Sequence, residues 1–389
     1  MFIRQIKVSG LLSFGPEGID LPLQNLNVLI GSNGSGKSNL VEIFALLKAS
    51  PRNLPAPMKE MGGVREWFWK GDAPPKEAII EALIEQPPTA KQNIRHRLTV
   101  MQNGERFEVA DEQIEYEIPR NDSDQPFYFY NYRRGRPFLK EFEGSTEESF
   151  DRKNIRPEES ILSQVTVPQR YAVLAHLSAW YSGIFLFRNW EFGPNAAIRK
   201  ASSPDAPNDF LRDGGTNLDV VLSSFRGESK RNLIACLKEL FDGINDYTTP
   251  TGSNGIMFYL EEEGGRSIPK TRLSDGTLRY VCLLAILLHP APPPLIVIEE
   301  PEFGLHPDVI PQVARLLMDA SQRTQIVVTT HSRMLIDSLS EAPESVVVCD
   351  RYHGESVFER LDALELQEWL KKYSLGDLWS SGELGGNRW

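Results

Sequence analysis

Gly31-Ser32-Asn33-Gly34-Ser35-Gly36-Lys37-Ser38 decides how this chain is read. The stretch follows an apolar run at residues 26–30 and leads into a helix-like segment at 39–48, the strand, loop and helix setting of a phosphate-binding P-loop. Glycines let the backbone curl until successive N–H groups point inward at phosphates, and the N-terminus of the following helix adds its positive dipole end. In such a loop Lys37 reaches the β- and γ-phosphates, Ser38 ligates Mg²⁺ and Asn39 opens the helix. A chance glycine-rich turn is the alternative, and its place between a strand and a helix counts against it. The motif implies a nucleotide site, with ATP and Mg²⁺ as the expected ligands.

Three further segments follow far downstream, in a fixed order. Leu273-Ser274-Asp275-Gly276-Thr277 leads into an apolar helix pattern at 278–288. Residues 294–298 form a β-branched, uncharged run of the kind found in buried strands, ending in Glu299-Glu300-Pro301-Glu302. A second such run, 325–330, ends in His331-Ser332. The polar endings fall at carboxyl ends of strands or at a helix start, the edge where open α/β sheets bind ligands.

Taken together, GSNGSGKSN at 31–39, LSDGTLRY at 273–280, IEEPEFGLHP at 298–307 and TTHS at 329–332 resemble the ABC-type ATPase heads of the SMC and RecF class. The chain is similar in particular to stand-alone AAA-type ATPases related to the overcoming-lysogenization family. Residues 2–8 and 12–14 look like the opening strands of those heads, and 374–379 resembles the stand-alone group. The resemblance implies an α/β P-loop NTPase fold, an ABC-type head with an antiparallel β-subdomain and an inserted helical subdomain. Its expected parts are lobe I at about 1–150, a helical insertion at about 151–255 and lobe II at about 256–389. It makes Glu300 the general base that orients the attacking water and puts Glu299 on the Mg²⁺ side, where the wider class has Asp. His331 becomes the switch histidine, although a lone His at a strand end is ordinarily a solvated surface residue. Ser274, Asp275 and Gly276 become the signature, closing in trans on the γ-phosphate held by Lys37 of a second copy, so a head-to-tail homodimer is implied. Gly is usual where this chain has Asp275, though Asp is common in the RecF-like branch, and a carboxylate near phosphates is repulsive unless it faces a backbone donor or the partner chain. Alone, Ser-Asp-Gly would read as an ordinary helix cap.

Between the two motif clusters, residues 78–85, 97–102 and 113–118 read as meander strands with turns at Asn103-Gly104 and Pro87-Pro88. Spacing at 158–186 and 217–243 is helical, and 256–260 with 267–272 reads as a hairpin delivering the signature. No heptad pattern persists long enough for a coiled-coil arm. Residues 127–136 form the densest aromatic and basic cluster, a candidate DNA contact by base stacking and phosphate pairing, or else a half-buried edge strand with a solvated turn. Residues 62–69 offer an aromatic wall near the nucleotide, or plain core packing. Gln86 and Gln92 are the candidates for a Q-loop glutamine.

The 389 residues, 41% hydrophobic and 24% charged, are enough for a large core in more than one lobe. No run approaches the roughly 18 apolar residues of a membrane span, the N-terminus lacks a signal pattern, and three scattered cysteines form no CxxC pair. A cytoplasmic protein without membrane partners is expected. A net charge of −11 argues against electrostatic coating of nucleic acid, which rests on clustered Lys and Arg. Only 58 residues follow His331, too few for the TOPRIM nuclease that the overcoming-lysogenization relatives carry, so no nuclease is expected in this polypeptide. The reading that emerges is an ATP-hydrolysing switch gating a separately encoded effector, nuclease or toxin, in DNA maintenance or phage defence. The alternatives are a transporter's nucleotide-binding subunit and a slow ATP sensor in a toxin–antitoxin-like pair.

Overall fold

A computed structural model describes residues 1–71, 74–119, 125–133, 136–149, 156–165, 167 and 169–386. Two compact units emerge. The first holds Met1–Ile184, Val347–Leu361 and Leu384–Trp389, and the second holds Phe185–Val346 and Asp362–Glu383.

In the first unit, β1 (Ile3–Ser9) pairs antiparallel with β2 (Ile19–Pro22), and every residue of β3 (Leu26–Gly31) is buried. A continuous apolar run of this length suits a strand covered on both faces. The P-loop follows, then α1 (Lys37–Ala49), which buries Leu40, Val41, Ile43, Phe44, Leu46 and Leu47. Two short helices, α2 (Ala56–Glu60) and α3 (Val64–Trp67), precede the meander of β4 (Glu77–Ile84), β5 (Ile94–Asn103) and β6 (Arg106–Tyr116). Strict alternation along β4, with Ala78, Ile80, Ala82 and Ile84 inside, fixes its register against β1. The antiparallel sheet continues through β7 (Tyr128–Arg133), β8 (Arg136–Leu139) and β9 (Glu148–Ser149), giving eight strands in the order β2-β1-β4-β5-β6-β7-β8-β9. The segment at 127–136 is therefore not an edge strand: two strands lie outside it, and residues 134–135 fall outside the described residues. Helices α4 (Ile161–Gln164) and α5 (Ala172–Ser182) follow, and α5 packs on α1, so this part of the expected helical insertion belongs to the first unit.

The second unit opens at Phe185 within β10 (Ile184–Phe187), where the sequence read as continuing helix. Helices α6 (Leu218–Ser224) and α7 (Gly227–Leu240) lead to β11 (Ile244–Thr248) and the two-residue strands β12 (Thr251–Gly252) and β13 (Gly255–Ile256). The hairpin β14 (Tyr259–Glu262) and β15 (Ser267–Pro269) does deliver the signature to the start of α8 (Asp275–Leu287). Strand β16 (Leu295–Glu299), helix α9 (Ile310–Ser321) and β17 (Gln325–Thr330) form a parallel β-α-β unit, with β10 flanking β16. Short α10 (Arg333–Asp337) follows.

The antiparallel pair β18 (Val346–Tyr352) and β19 (Glu355–Arg360) then returns to the first unit beside β3. This return carries residues 347–361 across the expected lobe II boundary. Helices α11 (Ala363–Leu370) and α12 (Leu375–Ser380) end the second unit. Among the described residues no helix is long and apolar enough to cross a membrane.

Candidate functional site

In the first unit the loop at 31–38 is curled as its glycines allow, with φ of +151° at Gly31, +80° at Gly34 and +103° at Gly36. Two of these glycines are also sterically required. A Cβ on Gly31 would sit 2.2 Å from the Cys349 carbonyl oxygen, and one on Gly36 would sit 2.1 Å from Ser356 Oγ. The β18–β19 hairpin thus forms one wall of the loop, and Ser356 donates to Ser13 Oγ (2.6 Å), which in turn accepts from Asn39 Nδ2 (2.6 Å).

No side chain caps the N-terminus of α1, and its first turn carries no acid. This start therefore presents the positive end of the helix dipole with no acidic side chain against it, the setting in which helix N-termini take up anions. Lys37 is nearly buried, its Nζ donating to the carbonyls of Gly31 (2.8 Å) and Ser32 (3.0 Å), while Ser32 Oγ is buried with no hydrogen-bond partner. Glycine cradle, uncapped helix, lysine and orphaned hydroxyl are a donor set that fits phosphate. The Ser38 hydroxyl is exposed at the same helix start, a hard oxygen donor of the kind Mg²⁺ takes.

Beside this loop runs a groove of about 860 Å³, lined by Leu12, Ser13, Gly34, Asn39, Trp69 and His353 among others. Its volume lies in the range of small-molecule sites. Phe68 and Trp69 join this wall, whereas Trp67 turns into the core, so the aromatic segment at 62–69 divides between its two readings. Gln86 and Gln92 are not brought here. β4 runs antiparallel to β1 with Ile84 opposite Ile3, which places Gln86 at the far end of β1 from Ser13, on the order of 20 Å away at about 3.3 Å per residue. Tyr128, Phe129 and Tyr130 are buried in the sheet, so these three rings of the 127–136 cluster are packing groups, while Phe127 and Tyr132 are half-buried.

In the second unit the ends of β16 and β17 bring Glu299, Glu300 and His331 together. Glu300 leaves the strand at φ +45°, and its N–H donates to the Thr329 carbonyl (3.0 Å). With Leu12 and His353 it makes three non-glycine residues of positive φ among those described. All three sit at candidate sites, where such strain gathers. His331 Nε2 lies 3.8 Å from Glu300 Oε1, both half-exposed. Glu299 faces Arg188 at 3.6 Å, and its carbonyl accepts from Trp190 Nε1 (3.2 Å).

Three residues not singled out from the sequence complete this arrangement. Glu302 is half-buried; Oε1 accepts from Thr330 Oγ1 (2.5 Å) and His331 N–H (3.1 Å), while desolvation pushes its carboxyl above the usual range despite these bonds. Arg279, within the quoted LSDGTLRY, lies over the rings of Trp190, Phe192 and Phe303 and donates to the Glu300 carbonyl (2.7 Å). Burial lowers its guanidinium to about 10. The third is Arg199, which grips the signature. Within that segment Ser274 caps α8 by accepting from Thr277 N–H (3.1 Å), and a Cβ on Gly276 would meet the Gly304 carbonyl oxygen at 2.7 Å. Close approach thus requires glycine at 276, packing the signature on the turn after Glu302.

Fold and loops define an SMC/RecF-like ABC-type ATPase head. Residues 26–337 match the family described as "AAA domain, putative AbiEii toxin, Type IV TA system", and the chain belongs to that family. Its fold is similar to an SmcHead bound to the C-winged helix domain of ScpA, at 14% identity over 94% of this chain and 99% of that chain, with a TM-score of 0.59. A Smc head with an extended coiled coil, bound to the C-terminal domain of ScpA derived from Pyrococcus furiosus, matches at 12% identity, 95% and 99% coverage and TM-score 0.58. A Smc head with a coiled coil and joint from Pyrococcus yayanosii matches at 10%, 95%, 99% and 0.56. At these identities the likeness is one of fold. No curated protein sequence matches the chain.

Proposed function

We propose that this chain is an ATP-hydrolysing switch. The β- and γ-phosphates of ATP lie in the loop from Gly31 to Asn39 under Lys37, and the base and ribose in the adjoining groove. Ser38 and Glu299 hold Mg²⁺, which supplies charge neutralisation on the transferred phosphoryl group. Glu300 orients and deprotonates the attacking water, and His331 holds the γ-phosphate side of that water. The observation that carries the reading is the uncapped, glycine-walled start of α1, which is built for an anion.

Ser274, Asp275 and Gly276 stand at the start of a second long helix, and one chain already surrounds its phosphates with its P-loop. A second copy therefore supplies that helix start, giving a head-to-tail homodimer that zips on ATP and opens on hydrolysis. The expected three-part division into lobe I, helical insertion and lobe II is kept as the functional partition. The output is carried by a separately encoded effector, a nuclease or toxin, in DNA maintenance or phage defence. The toxin–antitoxin wording of the family and the ScpA-bound state of similar Smc heads support a protein partner. A transporter subunit is disfavoured by the long meander between loop and signature, and a cytoplasmic location follows from the switch reading.

Glu300→Gln tests the cycle. ATP-bound dimers of that variant that persist in mass photometry, with turnover abolished, support hydrolysis by Glu300. Unchanged turnover sinks Glu300 as the base, and an absence of both turnover and ATP-driven dimers in the parent chain leaves the slow sensor in its place.

A further inference from the structure

Arg199 ends the short turn Ala197–Arg199 in the second unit and is 9% exposed. Its guanidinium serves two loops at once. Nε donates to the carbonyls of Phe192 (2.9 Å) and Gly193 (3.3 Å), in the strip that also supplies aromatic rings to Arg279. Nη1 donates to the carbonyls of Lys270 (3.3 Å), Thr271 (3.3 Å) and Leu273 (2.9 Å), the last residues before the signature. Nη2 pairs with the Asp275 carboxylate, whose side chain is 60% exposed.

An acid at the first position of a helix favours the helix itself, but at a helix start meant for phosphate it opposes the ligand. At about 6 Å, one unscreened carboxylate–phosphate charge pair weakens association on the order of 3- to 100-fold for effective dielectrics between 80 and 20. The Asp275 carboxylate is here matched by a buried arginine fork that already holds the loop backbone. Lysine has no such fork: a point charge cannot grip three carbonyls and a carboxylate in one plane.

We propose that Arg199 is the positioning residue of the signature, cancelling the charge of Asp275 so that Ser274 and the leading amides of α8 can receive the γ-phosphate held by a second copy. The inference rests on the head-to-tail reading above. Arg199 and Asp275 then act as one unit, and each matters chiefly in the presence of the other.

The test is a double-mutant cycle in the Glu300→Gln chain, reading the dissociation constant of the ATP-bound dimer by mass photometry. Arg199→Gln removes the charge but keeps amide donors for the loop carbonyls, so it preserves the fold where Arg199→Ala does not; a cooperative melt checks this. With Asp275 in place, Arg199→Gln weakens the dimer tenfold or more, whereas combined with Asp275→Asn it weakens it no more than about twofold. Equal losses in both backgrounds overturn the proposal and reduce Arg199 to a brace for the backbone. If the Glu300→Gln chain itself forms no dimer with ATP, the head-to-tail reading falls and this one falls with it, an outcome distinct from a flat cycle in a chain that does dimerise.

Discussion

Replacing Lys270 with methionine removes one half of an ion pair whose two side chains are 0% exposed. Its partner, Asp219 in α6, also accepts from Ser202 N–H (3.0 Å), Ser202 Oγ (2.8 Å) and Phe258 N–H (2.9 Å), tying together α6, the turn at 202 and the approach to β14. Breaking a buried pair on one side costs about 3–5 kcal/mol, because the remaining charge keeps its desolvation penalty without its counter-ion. Three surviving donors place this case at the lower end, about 3 kcal/mol. For a unit of this size that is a fall of roughly 6–12 °C in Tm, at about 2–4 °C per kcal/mol. Calorimetry on the single variant and on Asp219→Asn/Lys270→Met separates charge from packing. The double variant leaves no buried charge, although one amide donor of Ser202 or Phe258 loses its acceptor, so it is expected to be the more stable of the two by about 1 kcal/mol or more. A loss below about 1 kcal/mol for Lys270→Met, or a double variant no better than the single, would refute the reasoning.

Gly36→Ala forces a Cβ into Ser356 Oγ at φ +103°; at about 1–3 kcal/mol of strain, nucleotide affinity by fluorescence titration is expected to fall tenfold or more, and an unaltered affinity contradicts the wall assigned to the hairpin. Arg279→Lys loses the planar stack on Trp190 and Phe303 that accompanies the bond to the Glu300 carbonyl, so turnover is expected to drop about tenfold with little change in melting temperature; the reverse pattern makes Arg279 a stability residue only. Burial against Phe210 and Phe225 lowers the His289 pKa from 6.5. The fold prefers the neutral ring, so this residue's share of stability is present above pH 6.5 and is lost as pH falls through the lowered value. Urea unfolding at neutral and mildly acidic pH is expected to show a loss in the parent that is smaller in His289→Gln; identical slopes in both chains exclude His289 as the source.

The loop, the strands and the meander were legible because each rests on a local pattern: five buried residues before Gly31, alternation at 78–84, and apolar runs ending in polar side chains at Glu299 and His331. What the sequence did not disclose depends on partners far along the chain. The 127–136 cluster reads as an edge because its aromatics cannot announce that β8 and β9 lie outside them. Arg199 carries no motif, and its role exists only because the hairpin before α8 folds back over the turn at 197–199. The β18–β19 return is equally silent, since an apolar strand at 346–349 does not say which side of the head it joins.

That return has a consequence for the order in which the protein is made. The glycine loop leaves the ribosome early, yet the carbonyl of Cys349 and the hydroxyl of Ser356 that wall it arrive more than 300 residues later. A growing chain therefore displays its phosphate motif throughout synthesis without a finished cradle to hold it. At a few to about 20 residues per second, that interval is at least about 15 seconds, during which an incomplete head has no properly formed seat for nucleotide and no basis for engaging a finished neighbour.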